Sequence, residues 1–138
     1  MRHLFYVLLC SCLVLGCKKD PPAPELSPSA QLLTAAPWLF GEYYTGYGTT
    51  HQQRVYKRGA PGNVVDFSDY RYHFKKDGTF ELTLQQETLR GAWKFVNGEQ
   101  QIEITFPSDI PIFLNVSALG ADAFSWAQDD HFARMIMQ

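Results

Sequence analysis

The sequence predicts an all-β domain: an up-and-down antiparallel barrel of about eight to nine strands, entered through a short N-terminal helix. Three observations predict it. From Trp38 onward apolar residues recur at every second position, the period of a half-buried strand. Asp77-Gly78 and Asn97-Gly98 separate alternating runs, and both residue types tolerate the positive φ of a tight hairpin. No helical layer is on hand to cover the apolar face, so the sheet must curl shut or fold into two layers. Hairpin connectivity and the removal of exposed edges favour the barrel over the sandwich.

Arg2 and His3 open the chain, followed by an apolar run from Leu4 to Leu15. That run is shorter than the roughly 20 residues of a membrane span and suits a signal-peptide core. It ends in Val14-Leu15-Gly16-Cys17, which resembles the bacterial lipobox. The resemblance implies that small Gly16 admits the peptidase, that the Cys17 thiol takes a diacylglycerol, and that Cys17 becomes the acylated N-terminus. Cys10 and Cys12 would leave with the signal peptide. The mature chain would then hold no free thiol, which excludes cysteine catalysis and disulfide bonding. Lys18 stands where aspartate would resemble an inner-membrane retention signal, so outer-membrane delivery is expected. Lys18-Lys19-Asp20 resembles a surface-export signal of Bacteroidota lipoproteins in part, and both the periplasmic and the cell-surface face stay open.

Pro21, Pro22, Pro24 and Pro28 punctuate a stretch almost free of large apolar residues. In polyproline geometry about 12 such residues span some 35–40 Å, a spacer from the membrane. The expected organisation is a signal peptide over 1–16, a lipid-anchored tether over 17–29 and the barrel over 30–138. Ser27-Pro28 reads as helix cap and first helical position, opening a short helix that Pro37 must end and that lies across one end of the body. Strands are expected over Trp38–Tyr44 and Gln52–Lys57. Tyr72 and Phe74 then alternate with polar residues, as do Phe80 and Leu82, Trp93 and Phe95, and Ile102 and Ile104. Ile112–Ala118, Ala123–Ala127 and Phe132–Met137 complete about nine strands in sequence-adjacent order.

Composition excludes several function classes. Twelve Lys and Arg against fourteen Asp and Glu give a net charge of −2, which argues against a broad nucleic-acid face. A serine elbow, a His-Glu-x-x-His helix and phosphate-binding glycine loops are missing from the sequence. Glu42, Glu81, Glu103 and His73 fall on outward positions. No catalytic set can be assembled, no cofactor is implied, and the expectation is a protein that is not an enzyme.

Residues 31–138 resemble the small lipocalin-like lipoproteins of Bacteroidota, within the calycin superfamily. Four features carry the resemblance: Leu32-Leu33-Thr34-Ala35-Ala36-Pro37-Trp38, the hairpin Tyr72-His73-Phe74-Lys75-Lys76-Asp77-Gly78-Thr79-Phe80, Gly91-Ala92-Trp93-Lys94-Phe95, and Arg134 in the last strand. Ala36-Pro37-Trp38 stands where lipocalins carry Gly-x-Trp, and Thr45–Ser68 is longer and more polar than the short form. The resemblance implies a barrel, a structural closure in which Arg134 stacks on Trp38, and small hydrophobic-ligand binding only loosely.

Candidate sites follow. Tyr72, Phe74, Phe80, Trp93 and Phe95 face inward and either line a cavity or fill it, since an eight-stranded barrel stands at the size where both occur. The loop holding Tyr43, Tyr44 and Tyr47 between glycines supplies amphipathic contact surface, or else Tyr44 is strand core and the glycines merely turn the chain. Arg54, Lys57 and Arg58, with Lys75 and Lys76 on the same rim, suit an anion or, more plainly, a solvated strand face. Asp129-Asp130-His131 lacks a second cluster to complete a metal site, and no metal is expected. The leading expectation is a lipid-anchored barrel that binds or presents a small apolar ligand. The alternative is a packed barrel serving as a protein-interaction or inhibitor module in the envelope.

Overall fold

The computed structural model describes residues 25–107 and 110–138. Cys17, the segment 1–16 and residues 17–24 of the tether lie outside the described residues. Helix α1 (Pro28–Leu33) is followed by β1 (Trp38–Thr45), β2 (Gln53–Lys57), β3 (Arg71–Phe74), β4 (Thr79–Leu84) and β5 (Glu87–Val96). Then come β6 (Gln101–Thr105), β7 (Ile112–Leu119), β8 (Ala123–Gln128) and β9 (His131–Met137). β1 and β3 to β9 are neighbours in that order, all antiparallel, and β9 returns to pair with β1. The result is a closed eight-stranded barrel with β2 as an extra strand.

β2 corrects the expected sequence-adjacent order. β9 occupies one edge of β1 along most of its length, from Trp38↔Met137 to Tyr44↔Phe132. The other edge is shared: Trp38 and Leu39 pair with β3, whereas Glu42 to Thr45 pair with β2. β3 has four residues against eight in β1, so the upper part of that edge would stand bare without β2. The outer edge of β2 is covered in turn. The Asn63 side chain accepts from Lys57 N–H at 2.9 Å and donates to Lys57 O at 3.0 Å, while Val64 N–H donates to Val55 O at 3.0 Å. Loop residues thus satisfy an edge that would otherwise invite another strand.

α1 seals the end that carries the turns after β3, β5 and β7, here called lower. Its start is local chemistry: the Ser27 side chain accepts from Ala30 N–H at 3.1 Å and Pro28 takes the first position. The helix ends at Leu33, before Pro37, with the Thr34 hydroxyl donating to Ala30 O at 2.7 Å. Ala30 and Leu33 are buried in the barrel end. The Ser27 and Ser29 hydroxyls donate to Glu99, in the β5–β6 turn, and hold its carboxyl below the usual glutamate range.

Both Gly-containing turns form as expected. Asp77 accepts from Thr79 N–H at 2.9 Å and Gly78 has φ 83°, while Asn97 and Gly98 have φ 51° and 64°. Inward alternation also holds: Phe74, Phe80, Trp93, Ile102 and Ile104 are buried, with Tyr72, Leu82 and Phe95 packed against them. Outward positions pair their charges. Glu81 meets Lys75 at 2.7 Å and Arg90 at 3.2 Å, with His73 at 3.9 Å, and Lys94 meets Glu103 at 3.1 Å. Phe106 fills the space beside Gly91, where an added Cβ would stand 2.5 Å from Thr105 O and 3.1 Å from the Phe106 ring.

The expected Trp38–Arg134 stack does not form. Arg134 lies opposite Glu42 and Ser125 and is exposed, between the buried Ala133 and Met135. Trp38 is fully buried opposite Met137, and its indole N–H donates to Leu33 O at 2.8 Å. Strand alternation puts Arg134 on the wet face, so the lower end is closed by α1 instead of by an arginine.

Candidate functional site

Inner-face residues divide the barrel into two levels. In the lower level Trp38 meets Phe124 at 5.8 Å, and Phe74 meets Trp93 at 5.5 Å and Phe80 at 4.8 Å between ring centres. The Trp93 indole N–H donates to Lys75 O at 2.9 Å. This level is filled by rings whose polar atoms have partners, so Phe74, Phe80, Trp93 and Phe95 are core residues.

The upper level depends on a bulge. The register of β1 against β9 shifts between Phe40 and Glu42, at Gly41, where a Cβ would stand 3.1 Å from both Arg134 O and the Ile136 side chain. Strict alternation from Trp38 and Phe40 would turn Tyr44 inward. The extra residue moves the phase by one, so Tyr43 enters the barrel and Tyr44 leaves it. Tyr44 then donates to Glu42 at 3.1 Å on the outside. Tyr47 stacks on Phe132 at 4.6 Å, also outside, with its backbone N–H bound to Asp130 O at 2.7 Å. The expected loop is therefore mostly strand: Tyr43 and Tyr44 belong to β1 and only Tyr47 to the turn beyond it, and the three tyrosines serve two different surfaces.

Tyr43 stands in an aromatic chamber with Phe40, Phe67, Tyr72, Trp126 and His131. Its ring lies 5.7 Å from Phe40, 5.0 Å from Phe67, 6.3 Å from Trp126 and 5.7 Å from His131. Tyr72 stacks on Trp126 at 6.3 Å and 9°. Phe67 comes from the β2–β3 loop and stacks on Phe40 at 4.8 Å, so a loop residue closes this part of the wall. Arg58 secures that loop: its Nε donates to Phe40 O at 2.8 Å and its Nη2 to Ser68 O at 3.1 Å. Arg58 is thereby removed from the expected basic rim. Arg54 pairs with Glu42 at 3.6 Å, and Lys75 and Lys76 sit at the opposite end of the barrel.

Electrostatics follow from burial. Burial pushes the Tyr43 hydroxyl above the usual tyrosine range, helped by the Asp130 carboxylate. Burial pushes Tyr72 up further, with Tyr43 and Tyr70 adding to it. Both hydroxyls therefore stay protonated and can donate or accept. Two buried polar atoms of the chamber have no hydrogen-bond partner among the described residues: Trp126 Nε1 and His131 Nδ1. A concavity at the upper rim, lined by Asp69, Tyr70, Leu84, Gln85, Gln86 and Glu87, adjoins the chamber through Tyr70, whose ring touches Phe67 at 5.0 Å.

Of the sequence-derived candidates, the structure brings Tyr43 and Tyr72 together. Phe67 and Trp126 are not among those candidates, and His131 enters them through Asp129-Asp130-His131 as a metal ligand. Trp126 was legible as an inward aromatic, since Phe124 and Trp126 alternate in β8. Nothing in the local pattern marks Phe67, which belongs to a loop.

No family model matches the chain, and no curated protein matches it. Three solved structures do. A protein of the DUF4847 family from Bacteroides vulgatus shares 12% identity at a TM-score of 0.55, over 78% of this chain and 96% of that one. A lipocalin-like protein from Bacteroides uniformis shares 14% at 0.53, over 77% and 99%. A protein from Bacteroides eggerthii shares 15% at 0.52, over 75% and 98%. The fold is lipocalin-like, as the sequence resemblance implies.

Proposed function

We propose that this chain is a lipid-anchored, non-enzymatic protein of the outer membrane whose barrel takes a small, largely apolar ligand at its upper end. The observation that carries the reading is the contrast in polar satisfaction. Lower-level indoles have partners, whereas the upper chamber holds two buried polar atoms without them, among rings and under a loop. Buried polar groups are nearly always paired, so such a pair of exceptions in one aromatic space suits a guest. The lower bore is filled, and the ligand accordingly sits near the rim instead of along the whole axis. The lipobox-like Val14-Leu15-Gly16-Cys17 and the proline-rich tether support the anchor.

Two measurements test the reading. Organic extraction of the full-length protein purified from its native membrane should release one small molecule in an amount comparable with the protein. Mass spectrometry should find Cys17 acylated at the N-terminus, and Cys17→Ala should move the chain to the soluble fraction. An unmodified terminus would remove the anchor. An empty extract, with a partner protein recovered at equal stoichiometry, would favour a packed interaction module. The outer cluster of Tyr44, Tyr47 and Phe132 is the observation that speaks for that second reading.

A further inference from the structure

The three tryptophans make an internal comparison. Trp38 Nε1 donates to Leu33 O at 2.8 Å and Trp93 Nε1 to Lys75 O at 2.9 Å. Trp126 is just as buried, at 4% exposure, yet its Nε1 has no acceptor among the described residues. An indole N–H can only donate. The neighbouring orphan has the opposite capacity. His131 Nε2 lies 3.4 Å from the Asp130 carboxylate, and a ring that carries its proton on that side offers Nδ1 as an acceptor. Nδ1 is buried and has no donor among the described residues.

Strand register makes these two residues neighbours. Trp126 pairs with Ala133 and Gln128 with His131, so Trp126 and His131 are diagonal neighbours on the inner face of the β8–β9 ladder. The Tyr43 ring stands against both. A lone donor and a lone acceptor on neighbouring residues suit a group that accepts and donates at once. A carbonyl or carboxylate meets only the indole, an ammonium meets only the imidazole, and a hydroxyl meets both. The surrounding walls are rings: Phe40, Phe67 and Tyr72 offer faces and edges to a flat apolar body.

We infer that the upper chamber is a recognition site for the hydroxyl group of a small ring-bearing alcohol or phenol, with Trp126 Nε1–H donating to its oxygen and His131 Nδ1 accepting its proton. This rests on the ligand-binding reading above and specifies its polar end. Phe67, carried on the loop that Arg58 ties to Phe40 and Ser68, is the ring such a guest displaces on entry.

The test uses the full-length chain labelled with ¹⁵N at its indoles, in lipid nanodiscs, titrated with 2-naphthol and with naphthalene, which matches its body and lacks the hydroxyl. In the free protein the Trp126 indole proton should resonate upfield of the bonded Trp38 and Trp93. Adding 2-naphthol should move it downfield and leave the other two in place. Naphthalene should bind about tenfold more weakly, the effect of losing two ordinary hydrogen bonds. Trp126→Phe should erase that preference while keeping naphthalene binding. If that variant does not fold, His131→Leu should weaken 2-naphthol alone. Equal binding of the two probes, or an unmoved Trp126 signal, overturns the hydroxyl site and spares the ligand-binding reading. Failure of both probes to bind overturns both. A Trp126 cross-peak to a slowly exchanging water that 2-naphthol never displaces means an ordered water only, and also overturns the site.

Discussion

The lower and upper levels of this barrel are built from the same residue types and end in different states. Below, Trp38, Phe74, Trp93 and Phe124 interlock, two indoles find carbonyls, and α1 seats Leu33 against the opening. Above, Phe40, Tyr43, Tyr72 and Trp126 interlock as well, but one wall ring comes from a loop and two polar atoms have no partner among the described residues. Aromatic content is therefore not what separates a packed core from a candidate site here. Satisfaction of the polar tips separates them, because an unpaired buried donor costs far more than a paired one returns.

The largest effect that can break this comparison comes from truncating a ring at each level. Phe74→Ala should cost about 3–5 kcal/mol, as expected for a buried aromatic with no room to collapse. Phe67→Ala should cost only about 1–2 kcal/mol, since a partly buried loop ring can be replaced by solvent or by loop movement. Urea melts read both, and equal losses would mean that the loop is core.

Next in size is the tryptophan series. Trp38→Phe leaves the buried Leu33 carbonyl without its indole donor and should lose about 1–3 kcal/mol beyond the change in packing, and Trp93→Phe should lose less, because the Lys75 carbonyl keeps Gly78 N–H at 3.0 Å. Trp126→Phe removes a donor that has no acceptor and should escape that penalty. Thermal melts of the three variants side by side would show it, and a Trp126→Phe loss as large as the others would mean that its indole is bonded after all.

Smaller again is the helix cap. Ser27→Ala should cost about 1 kcal/mol and loosen α1, with no change at the upper strand ends. Hydrogen exchange resolves the two locations.

The mildest effect is the pH response, and its sign differs between the levels. The Glu99 carboxyl is held low by Ser27 and then Ser29, so its contribution is complete above the ordinary glutamate value of 4.5 and drains away as pH falls below it. Tyr43 and Tyr72 are held high by burial, so theirs is complete below the ordinary tyrosine value of 10.0 and drains away as pH rises above it. Amide protection should therefore fail first around α1 in acid and first around Tyr43 and Tyr72 in alkali. Simultaneous loss at both ends would show that the levels do not act separately.

Much of the architecture was readable residue by residue. Period-two alternation placed Phe74, Phe80, Trp93, Ile102 and Ile104 inside because successive strand side chains must point to opposite faces. Asp77-Gly78 and Asn97-Gly98 marked turns because positive φ is a local demand. Ser27-Pro28 marked the helix start for the same kind of reason. Phase and partnership are not local. The Gly41 bulge exchanged Tyr43 for Tyr44, and alternation within β9 put Arg134 on the side away from Trp38.

By itself, then, the chain determined where strands begin and end, which runs are greasy on one side, and how tight turns are made, since each depends on neighbours a few positions away. Tertiary structure alone decided that β2 leaves the barrel wall, that the loop ring Phe67 enters the upper chamber, and that Trp126 has no acceptor among the described residues. Indole satisfaction shows why: Trp93 finds its carbonyl 18 positions away in sequence. Whether a distant carbonyl arrives within hydrogen-bond reach is settled only when the strands close.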